Sequence, residues 1–197
     1  MATILDPQYD SSKFFLASVN VMLQMINELP ISDDVELADI LEAQLASSVL
    51  TETKKEVLAE GWDMNMDSNY LFPQDAEGYV PVPANVLDIS SADGDLIMRN
   101  WRIYSKSEQT SIFDEPQTMD VIWDLEFNTL THPLRNFITI RAARKFQART
   151  VMDTNVYGYT QQDEEDAYII ARRSEGNTAK YNMLTDNYGV DNYTLGT

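Results

Sequence analysis

A chain of 197 residues, 44% of them apolar, is long enough to bury a core and is not disordered as a whole; its length fits one domain, or one domain carrying an insertion. The net charge of −18 argues against a general nucleic-acid binder, because association with phosphates needs clustered Lys and Arg. The absence of cysteine excludes disulfides, thiol nucleophiles and sulfur-ligated zinc. Met1 to Asp10 lacks a basic flank before an apolar run, and no stretch approaches the roughly 20 apolar residues of a membrane span, so a soluble chain without a signal peptide is expected.

The first predicted unit is a helical hairpin over residues 12–29 and 33–60. Val19, Leu23 and Ile26 recur at helical spacing, Leu16 and Met22 widen the stripe, and Pro30 stops the helix because its ring removes a backbone donor. Ser32 or Asp33 caps the second helix, with Glu36 completing a capping box on Asp33, and Gly61 supplies the left-handed residue that ends it. Its apolar face is predicted to run from Val35, Leu37 and Ala38 through Leu41, Leu45, Val49 and Leu50 to Val57 and Leu58. Gln44 to Ser48 are small or polar enough to allow close packing against another helix or subunit.

Between Asp63 and Leu130 the signal becomes strand-like, at Tyr79–Pro83, Val86–Ile89, Leu96–Tyr104 and Met119–Phe127. Pro81 and Pro83 confine their segment to an edge or an extended lead-in, and Asp93-Gly94 is placed to close a hairpin between Val86–Ile89 and Leu96–Tyr104. Val121, Trp123, Leu125 and Phe127 alternate with Ile122, Asp124 and Glu126, as a strand with one buried face requires. Helix returns at Pro133 after His132, with Leu134, Phe137, Ile138, Ala142 and Phe146 as its apolar stripe. A fourth helix is predicted from Gln161 to Glu175, acidic at its start and basic at Arg172 and Arg173 as the dipole favours, and ended by Gly176. The expected class is α+β: an antiparallel bundle of about four helices (10–62 and 131–176), an inserted β-rich lobe (63–130) and an extended C-terminal tail (177–197).

Charge is distributed unevenly. Arg135, Arg141, Arg144, Lys145 and Arg149 lie in Thr131–Arg149 without an acid, five positive charges that leave −23 on the rest of the chain. These bases are set either to pair with acids of the fourth helix within the monomer or to meet acidic faces of neighbouring subunits.

Catalytic chemistry is sparse. His132 is the sole histidine and reads as a helix-start residue, since nothing accompanies it to complete a triad or a transition-metal site. No G-x-S-x-G elbow, Walker loop or G-x-G-x-x-G is present. Asp163–Asp166 reads as a solvated helix start, and Asp63–Asp67 lacks the glycine and the terminal bidentate acid of a calcium loop. No catalytic residue, metal ligand or cofactor is therefore assigned.

The pattern V-N-x-x-L-x-x-I-x-E-x-P-I-S over Val19–Ser32, Gly61-Trp62, the Phe137–Phe146 helix, the acid-rich Asp163–Ala167 segment and Tyr181–Leu184 together resemble the tail tubular protein A family of short-tailed phages. The resemblance runs from about Ser18 to Leu184, is loose in the middle, and rests on the order and spacing of packing patterns. It implies a structural virion protein in the phage tail: a dodecameric ring that docks the portal protein on one side and the tail nozzle, tail tubular protein B, on the other. Phage DNA would pass through that ring without sequence-specific binding, and no membrane is involved. On that reading Arg135, Arg141, Arg144, Lys145 and Arg149, with the tail residues Tyr181, Met183, Leu184, Tyr188 and Tyr193, are candidate contacts to neighbours or partners. Two other readings compete: a carbohydrate-active tail enzyme using paired carboxylates and Trp62, Trp101 or Trp123 as sugar platforms, and an acidic DNA mimic.

Overall fold

The computed structural model describes residues 12–150 and 159–178. In chain order it contains α1 (Ser12–Gln24), α2 (Asp34–Asp39), α3 (Leu41–Ala59), β1 (Met66–Phe72), β2 (Val86–Ser90), β3 (Leu96–Arg99), β4 (Arg102–Ser105), β5 (Gln117–Trp123), α4 (His132–Thr150) and α5 (Gln161–Thr178). The class is α+β, with five helices and antiparallel sheets among the described residues.

The helices enclose one hydrophobic cluster. Val19, Met22 and Leu23 of α1 meet Leu50, Val57 and Leu58 of α3 and Leu134, Phe137, Ile138 and Phe146 of α4. Ala43 and Ala46 on α3 and Ala142 and Ala143 on α4 are buried in the same cluster, and residues this small let helix backbones approach closely. Ala167 and Ala171 do the same for α5.

Where the hairpin departs from the sequence expectation, local chemistry explains it. α1 ends at Gln24, before Pro30 can act, in a turn where Asn27 takes a left-handed φ of 61°. The side chain of Asn20 then holds the returning chain from both sides: its Nδ2 donates to the Ile31 carbonyl at 2.9 Å and its Oδ1 accepts from the Ile31 amide at 2.8 Å. The predicted second helix is two helices. Asp33 caps α2 by accepting from Val35 and Glu36 amides, while Glu36 reaches back to the Ser32 amide, one residue earlier than a capping box requires. Ile40 then adopts extended backbone, so α3 starts in a new phase. The inward face of α3 is accordingly Ala43, Ala46, Leu50, Thr53 and Val57, and Val35, Leu41 and Leu45, predicted to be core, are exposed. Gly61 does end α3, with φ at +75°.

The strands surround a second cluster built from Phe72, Val80, Val82, Val86, Ile89, Ile103, Met119 and Val121. β5 is the centre of a three-stranded antiparallel sheet, with β1 and β2 on its two sides. β3 and β4 form a separate two-stranded hairpin in which Arg99 faces Arg102. Three expectations are corrected here. β2 pairs with β5 and not with β3, so Asp93-Gly94 forms a turn between sheets rather than a hairpin loop. The predicted strand Leu96–Tyr104 folds back on itself at Asn100-Trp101. β5 stops at Trp123, so Leu125 and Phe127 leave the strand register and pack with the helices. β1 was not foreseen: six of its seven residues are exposed, which erases the alternation that marks a half-buried strand. Pro81 lies beside Arg102 at the outer side of β4, where its missing N–H is tolerated.

The two clusters are tied by buried polar links. Lys54 of α3, 8% exposed, pairs with Asp124 at 2.7 Å and donates to the Leu125 carbonyl at 2.9 Å, just past β5. Asn65, 1% exposed, donates to the carbonyls of Leu58 and Trp123 and accepts from the Trp62 amide.

Candidate functional site

α4 carries Arg141, Lys145 and Arg149 on four-residue steps, and α3, running antiparallel beside it, carries Glu52 and Glu56, with Glu60 at its C-cap, on the same step. The result is a ladder of ion pairs. Arg149 meets Glu52 through two hydrogen bonds of 2.8 and 3.0 Å, Lys145 meets Glu56, and Arg141 meets Glu60 at 2.9 Å. Arg141 also donates through Nε to Glu164 of α5 at 2.8 Å, and Arg144 pairs with the other oxygen of that carboxylate. Arg135 donates to the carbonyls of Leu130 (2.6 Å) and Asn128 (3.1 Å) and stacks 4.0 Å from the centre of the Phe14 ring.

These pairs govern ionisation. Partial burial of Glu164 works against its charge, but hydrogen bonds from Arg141 and Arg144 outweigh it and hold the carboxyl below the ordinary range. For Arg141, burial opposes the cation, and the bonds to Glu164 and Glu60 overcome it, raising the guanidinium further. The Glu52 carboxyl is lowered chiefly by its hydrogen bond from Arg149.

A second junction lies at the end of α3. The Arg172 guanidinium of α5 stacks 3.7 Å from the Trp62 ring centre, donates to the Gly61 carbonyl at 3.2 Å, and pairs with Glu175 at 3.1 Å and Glu60 at 3.4 Å. Trp62 itself is 2% exposed, and its indole N–H donates to the Val57 carbonyl at 2.7 Å. It is a core residue and presents no ring face for a sugar. Trp123 is partly buried against Tyr70, with its indole N–H on Asp67 at 2.8 Å. Trp101 alone of the three is exposed, at the tip of the β3–β4 hairpin.

The remaining sequence candidates are structural where they can be seen. His132 is the first residue of α4. Asp163 accepts from the amide and hydroxyl of Thr160, closing the start of α5. Gly176 does not terminate α5, which continues to Thr178. Among the described residues no three carboxylates or imidazoles converge to hold a metal, and no helix is long and apolar enough to cross a membrane. Tyr181, Met183, Leu184, Tyr188 and Tyr193 lie outside the described residues.

Sequence reasoning identified the basic stripe and offered the acids of the fourth helix as its intramolecular partners, and of those acids only Glu164 meets it. The signal for the others was present: Glu52, Glu56 and Glu60 repeat at the same interval as Arg141, Lys145 and Arg149. Also missed was the tetrapeptide Arg99-Asn100-Trp101-Arg102, where asparagine at a turn between two short apolar runs marks a two-residue hairpin.

Tail tubular protein A of Klebsiella phage KP34 is 26% identical to this chain over 160 residues, covering 80% of this chain and 84% of the relative. The family model described as tail tubular protein matches residues 16–181. The chain belongs to the tail tubular protein family and is thus a structural component of the virion tail, not an enzyme.

Proposed function

We propose that this protein is a tail adaptor: a subunit of a closed, dodecameric ring between the portal and the tail nozzle, whose lumen forms part of the channel for DNA ejection. The observation that carries this reading is the internal neutralisation of the one cationic helix. Arg141, Arg144, Lys145 and Arg149 all meet carboxylates of α3 or α5, so the helix offers no free basic stripe, while the chain as a whole stays at −18. A wall of such subunits repels phosphate and lets a duplex slide past without sticking. A ring lumen lined by Arg141, Arg144 and Lys145 would contradict that anionic channel.

Exposed apolar groups support ring formation. Val35, Leu41 and Leu45 on α2 and α3 and Ile169 and Ile170 on α5 are exposed on different elements. Rings are built from two dissimilar faces that fit one another, and these elements supply candidates for both. In this reading the helical segments 10–62 and 131–176 form an antiparallel bundle that packs the ring, and 63–130 is an inserted β-rich lobe reaching neighbours. The tail 177–197 docks portal or nozzle through Tyr181, Met183, Leu184, Tyr188 and Tyr193. Arg135 and the outer ladder pairs of Arg149 and Lys145 lie where an acidic neighbour can compete for them.

Negative-stain microscopy of the purified full chain, alone and mixed with its cognate portal, tests the proposal. A closed ring, or an added layer on the portal, is expected. A monomer that leaves the portal unchanged would overturn it.

A further inference from the structure

The β3–β4 hairpin closes through Asn100 and Trp101, with φ of 52° and 57°, between the paired residues Arg99 and Arg102. Two left-handed residues are what a two-residue hairpin turn of this hand requires, and the second position is normally glycine. A tryptophan there is strained by its Cβ, and this one is also 56% exposed. Its indole has no hydrogen-bond or ring partner among the described residues. Arg99 and Arg102 beside it are exposed and stack on Tyr104 and Tyr79, 3.8 and 3.9 Å from the ring centres, and neither has a carboxylate within ion-pair distance among the described residues. The tip therefore presents a bare aromatic ring between two unneutralised guanidinium groups, on a chain whose other cationic patch is neutralised internally.

At the opposite end of the same hairpin lies a surface cavity of about 450 Å³ lined by Asp95, Glu108, Asp114 and Glu115 together with Leu96 and Ile112. Ile112 is 53% exposed, and Lys106 is the base closest in sequence to these acids. The lining is mainly polar, Ser105 and Ser107 included, with Leu96, Ile112 and Phe113 as its apolar members, and its carboxylates complement an indole flanked by arginines.

We propose that the Arg99–Arg102 tip of one subunit docks into the Asp95–Glu115 cavity of a second copy of this chain. Trp101 is the buried anchor, and Arg99 and Arg102 pair with Asp114 and Glu115. Tip and cavity are different surfaces at the two ends of one hairpin, so the contact is head to tail and propagates around a ring where the rotation closes. The inference rests on the ring reading and names one of its subunit contacts.

The test uses the full-length chain, with self-association followed by sedimentation velocity and ring formation on the portal by negative stain. Trp101→Gly restores the residue the turn prefers, so its unfolding midpoint is expected to equal or exceed that of the unaltered protein while self-association weakens by about tenfold or more. Two charge reversals locate the receptor: R99E with R102E on the tip, and D114K with E115K in the cavity. Each pair is expected to weaken association, and all four together to restore it. Rings that form equally well from every variant would overturn this contact and leave the ring itself standing. A quadruple variant as weak as either pair would overturn the cavity as receptor. Should the unaltered chain form no ring, alone or on the portal, the ring reading falls and this contact with it.

Discussion

Gly61 and Asn65 show how much of this fold rests on single residues. Gly61 turns the chain from α3 toward β1 at φ +75°, and a Cβ built there would come within 2.9 Å of the Met66 sulfur. Since Met66 is flexible, the backbone strain dominates over the contact, and Gly61→Ala is expected to destabilise by about 1–2 kcal/mol. Urea denaturation measures this, and an unchanged midpoint at unchanged slope would refute it. Asn65 spends its amide on carbonyls from both clusters and its oxygen on the Trp62 amide. Asn65→Ala strands those groups in a buried site, so a loss of about 2–4 kcal/mol is expected, with the two clusters losing coupling in hydrogen exchange.

At the scale of elements, two contacts decide how helices hold one another. Lys54 is the charged link from α3 to the chain leaving β5, and removing it leaves the mostly buried Asp124 carboxylate with only the more distant Lys55, 3.9 Å away. Because Lys55 stays near that carboxylate, Lys54→Ala should destabilise by about 2–3 kcal/mol, less than for a fully stranded buried charge, and a melting temperature matching the unaltered protein would contradict that account. Glu164 joins α4 to α5. Its carboxyl keeps its charge below the ordinary 4.5, so the stability it supplies is complete above that value and is lost as pH falls through the lowered native value. Glu164→Gln removes the titrating group. The variant is expected to be less stable at neutral pH and to converge with the unaltered protein in acid; a constant difference across pH 2–7 would assign the effect to packing instead of charge.

The elements themselves were legible to the extent that their signals were local. α4 could be read from Pro133 and a stripe of Leu134, Phe137, Ile138, Ala142 and Phe146, every one of which is buried. The break at Ile40 could not, because its neighbours are good helix formers and only tertiary packing shifts the phase between α2 and α3. β1 was hidden for a related reason. Its residues are exposed at a sheet side, and hydrophobic alternation reports burial, not pairing. The ladder of Glu52, Glu56 and Glu60 against Arg149, Lys145 and Arg141 was written in the spacing, but choosing α3 over α5 as partner requires knowing which helices lie side by side.

For the whole molecule, the question is whether one basic helix in an acidic body makes a nucleic-acid surface. Four of its five bases meet carboxylates, and the fifth, Arg135, is directed to backbone carbonyls and the Phe14 ring. Phosphate would have to displace those partners while approaching a body of net charge −18. Counterion release, the main driver of nonspecific binding, scales with the number of phosphates neutralised, and on this helix few cations are free to neutralise any. At about 0.15 M salt the field of the body extends over roughly 8 Å, still enough to oppose a duplex at contact. The purified protein is accordingly expected to leave a short duplex unretarded in an electrophoretic mobility assay at that ionic strength. Glu52→Gln with Glu56→Gln, which frees Arg149 and Lys145, should give weak retardation that disappears as salt is raised. Retardation by the unaltered protein would mean that the ladder opens to phosphate, and would count against the proposed anionic channel wall.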